Sequence, residues 1–576
     1  MSDETIHFEL SGATGILEQG LYELNEQDIL KRLWNHDHTV WKAEPDEITN
    51  RLGWLHEPAE MKNVVPEILT FADEVRTDGF VDVVLLGMGG SSLAAEVIRN
   101  TFGIAPGYPQ LSVLDSTDPG AILKLLECVD LSKTLFLVST KSGSTVETLS
   151  LFNFMYSKLK NLVGADQAGM HFAAVTDSGS SLEVLAKKYN FRRIFLNNAQ
   201  IGGRYSALSY FGLVPAGLIG VDIDSLLDRA LDVARENGEE ASVDEASAVK
   251  LGVALGELTA MGRDKLTFII SPSMESFGDW VEQLLAESTG KDGKGIVPIV
   301  GEDLASPQTY SEDRVFVWLH LKEDDASSAA LHSLREAGHP VIEIVLGDIY
   351  DLGGQFFLWE MATAIAGQRL GINPFDQPNV ESAKGKARQM VVAYQEQGHL
   401  LVDPPRYVAN GIEVYWNGLG ETDLGIDNRD TTLDVVFNAF LGQAGHRAYL
   451  ALQAYLPATD ETCQELSLLR HTLRERTGLA TTLGFGPRFL HSTGQLHKGD
   501  AGQGLFIQIT ADKPQDLAIP DVAGEEGSSI TFGTLIQAQA LGDQQALHEA
   551  VRKIIQFHLS EDVQMGIQAL VDALTG

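Results

Sequence analysis

VDVVLLGMGGSSLAAEVIRN, residues 81–100, is the stretch on which the fold turns. Val81–Leu86 is a short apolar run of strand length. Gly87–Ser92 follows as a tight Gly/Ser loop, and a helix opens after it. The same succession returns at TLFLVSTKSGSTVETLSLF, residues 134–152. There a strand ends near Val138 and a hydroxyl-rich loop, Ser139–Thr145, leads into a helix. A looser version is KLTFIISPSMESFGDWVEQLL, residues 265–285. Repeated strand–loop–helix units predict an α/β fold of parallel sheets with helices on both faces.

Working outward, LSVLD, HFAAVTD, RVFVWLHL and HPVIEIVLG supply further strands. Two such α/β domains are predicted, over 61–200 and 261–400, joined by a helical segment at 201–260. Residues 1–60 read as a helical lead-in, with Ile29, Leu30, Leu33 and Trp34 on one helix. GHLLVDPPRY, with two prolines, marks a boundary. Beyond it, 401–576 reads as a third α/β or α+β unit. Its strands are IEVYW, AYLALQAYL and GLFIQIT, and its helices CQELSLLRHTLRERTG and DQQALHEAVRKIIQFHL.

The 42 basic and 80 acidic residues give a net charge of −38, which repels nucleic acid and anionic lipid. An anionic substrate must then be drawn in by a local basic or N–H-rich pocket. Two cysteines, Cys128 and Cys463, make no disulfide framework and have no metal-ligand neighbours. The opening MSDETIHFEL lacks the pattern of a signal peptide, and no apolar run is long enough to span a bilayer. These features predict a cytoplasmic protein without a bound metal.

Several stretches could carry chemistry. FGDWVEQLLAESTGK, residues 277–291, reads as an amphipathic helix stopped by Gly290. Gln283 and Glu287 stand four apart on it and share a face. Ser139-Thr140-Lys141-Ser142-Gly143-Ser144-Thr145 lies before a helix, where N–H groups, hydroxyls and the Lys141 charge form an anion site. It lacks the Gly-Lys-Ser/Thr ending of a Walker loop. Gly87–Ser92 is not a dinucleotide fingerprint, because the last glycine position is Ser92. Its Gly90 and Ser91 are suited to line a sugar or phosphate. Arg204, on a glycine pair, reads equally as an oxyanion clamp or a surface turn. Lys384 sits on a helix after a proline-bounded turn, and His491 and His497 lie among glycines and hydroxyls.

Taken together, GMGGSS, STKSGSTVET, GGRYSALSYFGL, QLLAESTGK and FDQPNVESAK resemble the motifs of the phosphoglucose isomerase family, in its order. KRLWNHDHTVWKAEPDEITNRLGWL and TTLGFGPRFLHSTGQLHKGD look more like the isomerase half of bacterial transaldolase–phosphoglucose isomerase fusions. The resemblance implies two sugar-isomerase (SIS) domains that interconvert glucose 6-phosphate and fructose 6-phosphate through a cis-enediolate, with no metal or cofactor. It matches Glu287 to the general base, Gln283 to the glutamine before it, and Arg204 to the arginine that stabilises the enediolate. Ser139, Thr140, Lys141, Ser142 and Thr145 fall on phosphate-contacting positions, and Gly90 and Ser91 on the first loop. Lys384 matches the lysine near the ring oxygen.

One departure stands out. The family's ring-opening histidine lies in a GxNGQH stretch soon after the base, where this chain reads GIVPIVGEDLASPQTY, residues 295–310. HSTGQLHKG, residues 491–499, resembles the segment that begins at that histidine, but lies after Lys384. His491 is the first candidate for the role and His497 the second. The family often borrows this histidine from a second subunit, which implies a homodimer. A dual phosphoglucose/phosphomannose isomerase, or a non-catalytic SIS sugar-phosphate sensor, are the other readings.

Overall fold

The computed structural model describes residues 5–400, 402–409, 411–416, 431–560 and 562–575, without the side chains of 381–383. The strands, in chain order, are β1 (Thr5–Glu9), β2 (Asp82–Leu86), β3 (Gln110–Leu114), β4 (Thr134–Ser139), β5 (Phe172–Asp177) and β6 (Arg193–Asn197). They continue with β7 (Lys265–Ile270), β8 (Val297–Ile299), β9 (Arg314–Leu321), β10 (Val341–Leu346), β11 (Tyr407–Ala409) and β12 (Ile412–Trp416). The last are β13 (Tyr449–Tyr455), β14 (Ala480–Phe485), β15 (Gly504–Ala511), β16 (Ala518–Ile519), β17 (Ile530–Thr531) and β18 (Lys553–Leu559).

Three large sheets result, and β16 and β17 pair separately as a two-stranded antiparallel ribbon. The first, β3-β2-β4-β5-β6, is wholly parallel. In the second, β1-β10-β9-β7-β8, only β1 runs antiparallel. The third, β11-β12-β18-β15-β13-β14, is parallel from β18 to β14, with an antiparallel β11–β12 edge. In each, the first strand of the parallel set has its second on one side and its third on the other. Strand order therefore reverses beside β2, β7 and β13. Ligands of open α/β sheets bind at such reversals, outside the carboxyl ends of the strands. The loops after β2 and β4 flank the first reversal, and helix Phe277–Thr289 follows β7.

One apolar core joins the N-terminal helices to faces of the first two sheets. The third sheet has a core of its own. The 277–289 helix lies between them. Trp280 and Phe277 pack toward Phe356, while Ala286 meets Leu496, Tyr449 and Phe506 of the C-terminal unit.

Three features differ from the sequence expectations. The lead-in is not purely helical, because Thr5–Glu9 pairs along β10 and closes that edge of the second sheet. DQQALHEAVRKIIQFHL is not one helix. Helix Phe532–Glu549 ends, the chain turns through Val551 at φ 58°, and KIIQFHL becomes β18 in the middle of the third sheet. Both faces of β18 are covered, so its apolar residues do not alternate with polar ones and a helical period fits them equally well. Helix Val380–Gln397, expected with the second domain, packs along the 532–549 helix, with Lys386 Nζ 2.6 Å from Glu549 Oε1.

Gly290 does end the 277–289 helix, but at φ −76°, which any residue adopts. Glycine is required there for space: a Cβ would lie 2.3 Å from Leu496 Cα. Gly290→Ala must push the 494–499 segment away, at a cost of about 1–3 kcal/mol. Thermal denaturation should show a lowered transition. A variant as stable as the wild type would mean that the two segments are not in tight contact.

Candidate active site

Glu287 and Gln283 sit on the buried face of the 277–289 helix, 6% and 3% exposed. Gln283 Nε2 lies 3.3 Å from Glu287 Oε2 and also donates to the His491 carbonyl at 2.7 Å. A carboxylate accepts only, so the amide must turn its NH2 toward Glu287. One side chain thereby ties the helix to the segment that carries His491.

Arg204 is not in a surface turn. It is 4% exposed, in a short 3₁₀ segment, Gly203–Tyr205. Its Nε donates to Ser288 Oγ at 2.8 Å, Nη2 to the carbonyls of Pro374 and Asp376, and Nη1 to Gln377 Oε1. Nη1 also stands 3.5 Å from Glu287 Oε2. The guanidinium is thus fixed by neutral acceptors and presents its charge beside Glu287. Lys291 Nζ holds the same turn through Asp376, at 2.5 Å to the carbonyl and 2.7 Å to Oδ1. Burial and the nearby Arg204 charge push the Lys291 ammonium down to about 8.

The C-terminal unit supplies the next member. His491 ends the 3₁₀ turn Arg488–His491, and its Nε2 stands 2.9 Å from Glu147 Oε1. Glu147 is the second residue of helix Val146–Val163 and is 4% exposed. Burial works against its charge. The His491 charge and hydrogen bond, a backbone N–H and, last, the Lys384 charge outweigh burial and hold the carboxyl below its ordinary range. Lys384, half-buried on the 380–397 helix, therefore acts electrostatically on the same carboxylate.

The Ser139–Thr145 loop runs directly into that helix. Ser139 Oγ donates to the Ser91 carbonyl at 2.7 Å, joining the two loops at the strand-order reversal. Thr140 and Thr145 hydroxyls lie 3.0 Å apart, and those of Ser142 and Ser144 2.9 Å apart. Lys141 pairs with Asp177 and donates to the Ala199 carbonyl. Gly143 sits at φ 72°, where a Cβ would also meet Leu182 N at 2.3 Å. Gly90 backs onto the Gly203 carbonyl, next to Arg204, and the neighbouring Gly89 faces the His491 carbonyl and Gln283 Nε2.

Eleven of the thirteen positions singled out from the sequence thus lie in one connected region or on the loop that enters it, and Lys384 reaches it through its charge. His497 does not join them. Its ring packs on Phe489 and Phe506, with Nδ1 3.3 Å from Gln453 Nε2. Burial, then the Lys498 and Arg552 charges, hold it neutral, far below the usual histidine range. Glu147 was not singled out. An acidic residue in a first helical turn is expected from the helix dipole alone, so its spacing carried no separate signal. Among the described residues no His/Cys/Asp/Glu cluster is arranged to hold a metal, and no helix is long and apolar enough to cross a membrane.

Comparison with known proteins gives this geometry a family. Residues 55–297 match the family model for phosphoglucose isomerase. A probable glucose-6-phosphate isomerase of Methanococcus maripaludis is 31% identical over 350 residues, which are 54% of this chain and 78% of that protein. A glucose-6-phosphate isomerase of Staphylococcus saprophyticus is 30% identical over 415 residues, 63% of this chain and 91% of the relative. In fold, the chain resembles the crystal structure of a glucose-6-phosphate isomerase from Chlamydia trachomatis, with a TM-score of 0.57 at 19% identity over 66% of this chain and 86% of that one. The chain belongs to the phosphoglucose isomerase family.

Proposed function

We propose that this protein interconverts glucose 6-phosphate and fructose 6-phosphate, in the cytoplasm, by proton transfer through a cis-enediolate. One observation carries the reading. Arg204, Glu287, Gln283, His491 and Glu147 form an unbroken run of contacts assembled from four separate parts of the chain. A binding module needs an anion loop. It has no need of a buried carboxylate flanked by a fixed guanidinium, or of a buried acid–histidine pair.

The phosphate docks on the hydroxyls and N–H groups of Ser139–Thr145, beside Gly90 and Ser91, and fixes the sugar against the repulsion of a −38 surface field. His491, held by Glu147 and with Lys384 at hand, transfers the ring protons that open the pyranose. Glu287 then removes the C2 proton. The C–H electron pair forms the C1–C2 double bond, and the carbonyl oxygen takes up the negative charge. A proton passes between O2 and O1, and Glu287 returns its proton to C1. Arg204 faces charge that exists only along this path, so its attraction lowers the barrier rather than merely tightening binding.

In the family, a second subunit often lends the ring-opening histidine. Here His491 and Glu147 lie on one chain, so a homodimer is not needed to bring them together. The likeness to the isomerase half of transaldolase fusions rests on 31–55 and 481–500, almost wholly outside the matched 55–297. We read the C-terminal unit as that group's way of carrying the histidine in cis.

A coupled assay from fructose 6-phosphate, run in chelator, tests the assignment. Glu287→Gln should lower kcat by ~10²–10⁴-fold with KM little changed. Retained turnover would remove Glu287 from proton transfer. His491→Ala should lose ring opening while His497→Ala keeps it, and the reverse pattern would exchange their roles. Binding without turnover in the wild type would favour the sensor, and turnover of mannose 6-phosphate the dual isomerase.

The Glu147 carboxyl has a second, pH-dependent consequence. Its folded value is depressed, so its stabilisation is present above the ordinary carboxylate value of about 4.3 and is lost as pH falls through the folded one. The stability gap between wild type and Glu147→Gln should therefore narrow below about pH 4. A gap independent of pH, in thermal scans from pH 7 to 3, would contradict an ionised Glu147.

A further inference from the structure

The proposed mechanism accounts for His491 but not for what fixes its carboxylate partner. Glu147 Oε1 has a second donor. Gln539 Nε2, from the 532–549 helix of the C-terminal unit, reaches it at 2.7 Å. Gln539 is 3% exposed, and its Oε1 accepts from Thr117 Oγ1 at 3.0 Å, in a pair that is fully buried on the Thr117 side. Thr117 follows β3 in the first sheet domain.

The polarity of this run is set by chemistry. An ionised carboxylate accepts only, so Gln539 must present its NH2 to Glu147. Its carbonyl then faces Thr117, whose hydroxyl turns to donate. Flipping the amide would set two oxygens against each other at 2.7 Å in a buried site. The 532–549 helix cannot shift without breaking this run. Its Ile536 and Ala540 also pack with Tyr455 and Phe489, so the helix is seated on the strand and turn that lead to His491.

We propose that Gln539 is a positioning residue of the active site: it holds the Glu147 carboxylate in the orientation that His491 Nε2 needs, with Thr117 locking the amide. It touches no substrate and acts through Glu147. The C-terminal unit then contributes two functional side chains, the histidine and the group that aims its partner. The inference rests on the isomerase reading above for its kinetic effect, but not for its effect on the histidine.

The experiment uses the full chain with Gln539→Leu, Gln539→Glu, Thr117→Val and the Gln539→Leu/Thr117→Val double variant. Each is assayed from fructose 6-phosphate across pH, and His491 is followed by NMR of ring-labelled histidine, with His491→Ala identifying its signal. Loss of one donor to a charged group predicts kcat about tenfold lower in Gln539→Leu, with KM within about twofold. Gln539→Glu keeps the shape but sets a second carboxyl against Glu147. Two carboxyls that close share one proton, which draws negative charge off Glu147 and should lower the His491 titration and the matching limb of the rate profile by about one pH unit. Thr117→Val should add nothing in the Gln539→Leu background, because both act through one amide.

An unchanged His491 titration in Gln539→Leu and Gln539→Glu overturns the proposal, as does a fully additive Thr117→Val. Should Gln539→Leu fail to fold, the isosteric Gln539→Glu decides alone. Should the wild type turn nothing over, the isomerase reading falls, and the histidine titration still decides the role of Gln539.

Discussion

Arg488 is the side chain on which the assembly of this site depends. It comes from the C-terminal unit, three residues before His491. Its Nη2 lies 2.5 Å from Glu96 Oε2 in the first sheet domain and 3.3 Å from Asp279 Oδ2 at the start of the 277–289 helix. Its Nε stands 3.4 Å from Asp115 Oδ2. One guanidinium thus neutralises carboxylates from two domains and belongs to a third. The acidic groups cannot share that space without it, and surrounding charges hold it protonated well above the usual arginine range against the effect of burial. Where Arg488 is pinned, His491 is pinned, because less than one helical turn separates them.

A second buried contact explains why the C-terminal unit sits where it does. Arg470 Nη1 donates to the carbonyls of Val300 and Gly301 at 2.8 Å, and Nη2 to the Thr481 carbonyl at 2.6 Å. Glu302, paired with Arg314 at 2.9 Å, accepts from Thr481 Oγ1 at 3.1 Å. Val300, Gly301 and Glu302 belong to the segment 295–310, where the family's histidine stretch is missing from this chain. The segment that lacks that histidine docks the unit that carries His491. Charges buried this deeply are costly unless every one is paired, so the docking geometry has few alternatives.

How much of this was legible in the sequence follows from the range of each interaction. The strand–loop–helix units at 81–100 and 134–152 were readable because turn chemistry and apolar runs are local. The shared face of Gln283 and Glu287 was readable because the helical period is local too. β18 was misread because a strand covered on both faces has no polar alternation to betray it. β1 was missed because five residues with an alternating pattern form a strand only if an edge such as β10 is free to receive them. Gly290 was placed correctly at a helix end for a reason that does not hold there. Its constraint is Leu496, 206 residues away. Glu147 stood within a recognised motif and still carried no mark, since its meaning comes from His491, 344 residues later.

The order of the motifs along the chain is for the same reason a weak guide to their order in the site. HSTGQLHKG lies after Lys384 in sequence, yet Gln495 Nε2 donates to the Gly290 carbonyl at 2.8 Å, and Gly293 N to the Gly499 carbonyl at 3.0 Å. The segment is laid against the end of the 277–289 helix, just downstream of Glu287. What catalysis requires is a position in space and a fixed orientation. A chain meets that demand equally well with a loop that follows the base directly or with a separate unit that is docked back by buried charge. The second route needs more constraints, and Arg488, Arg470 and the glycine at 290 are those constraints.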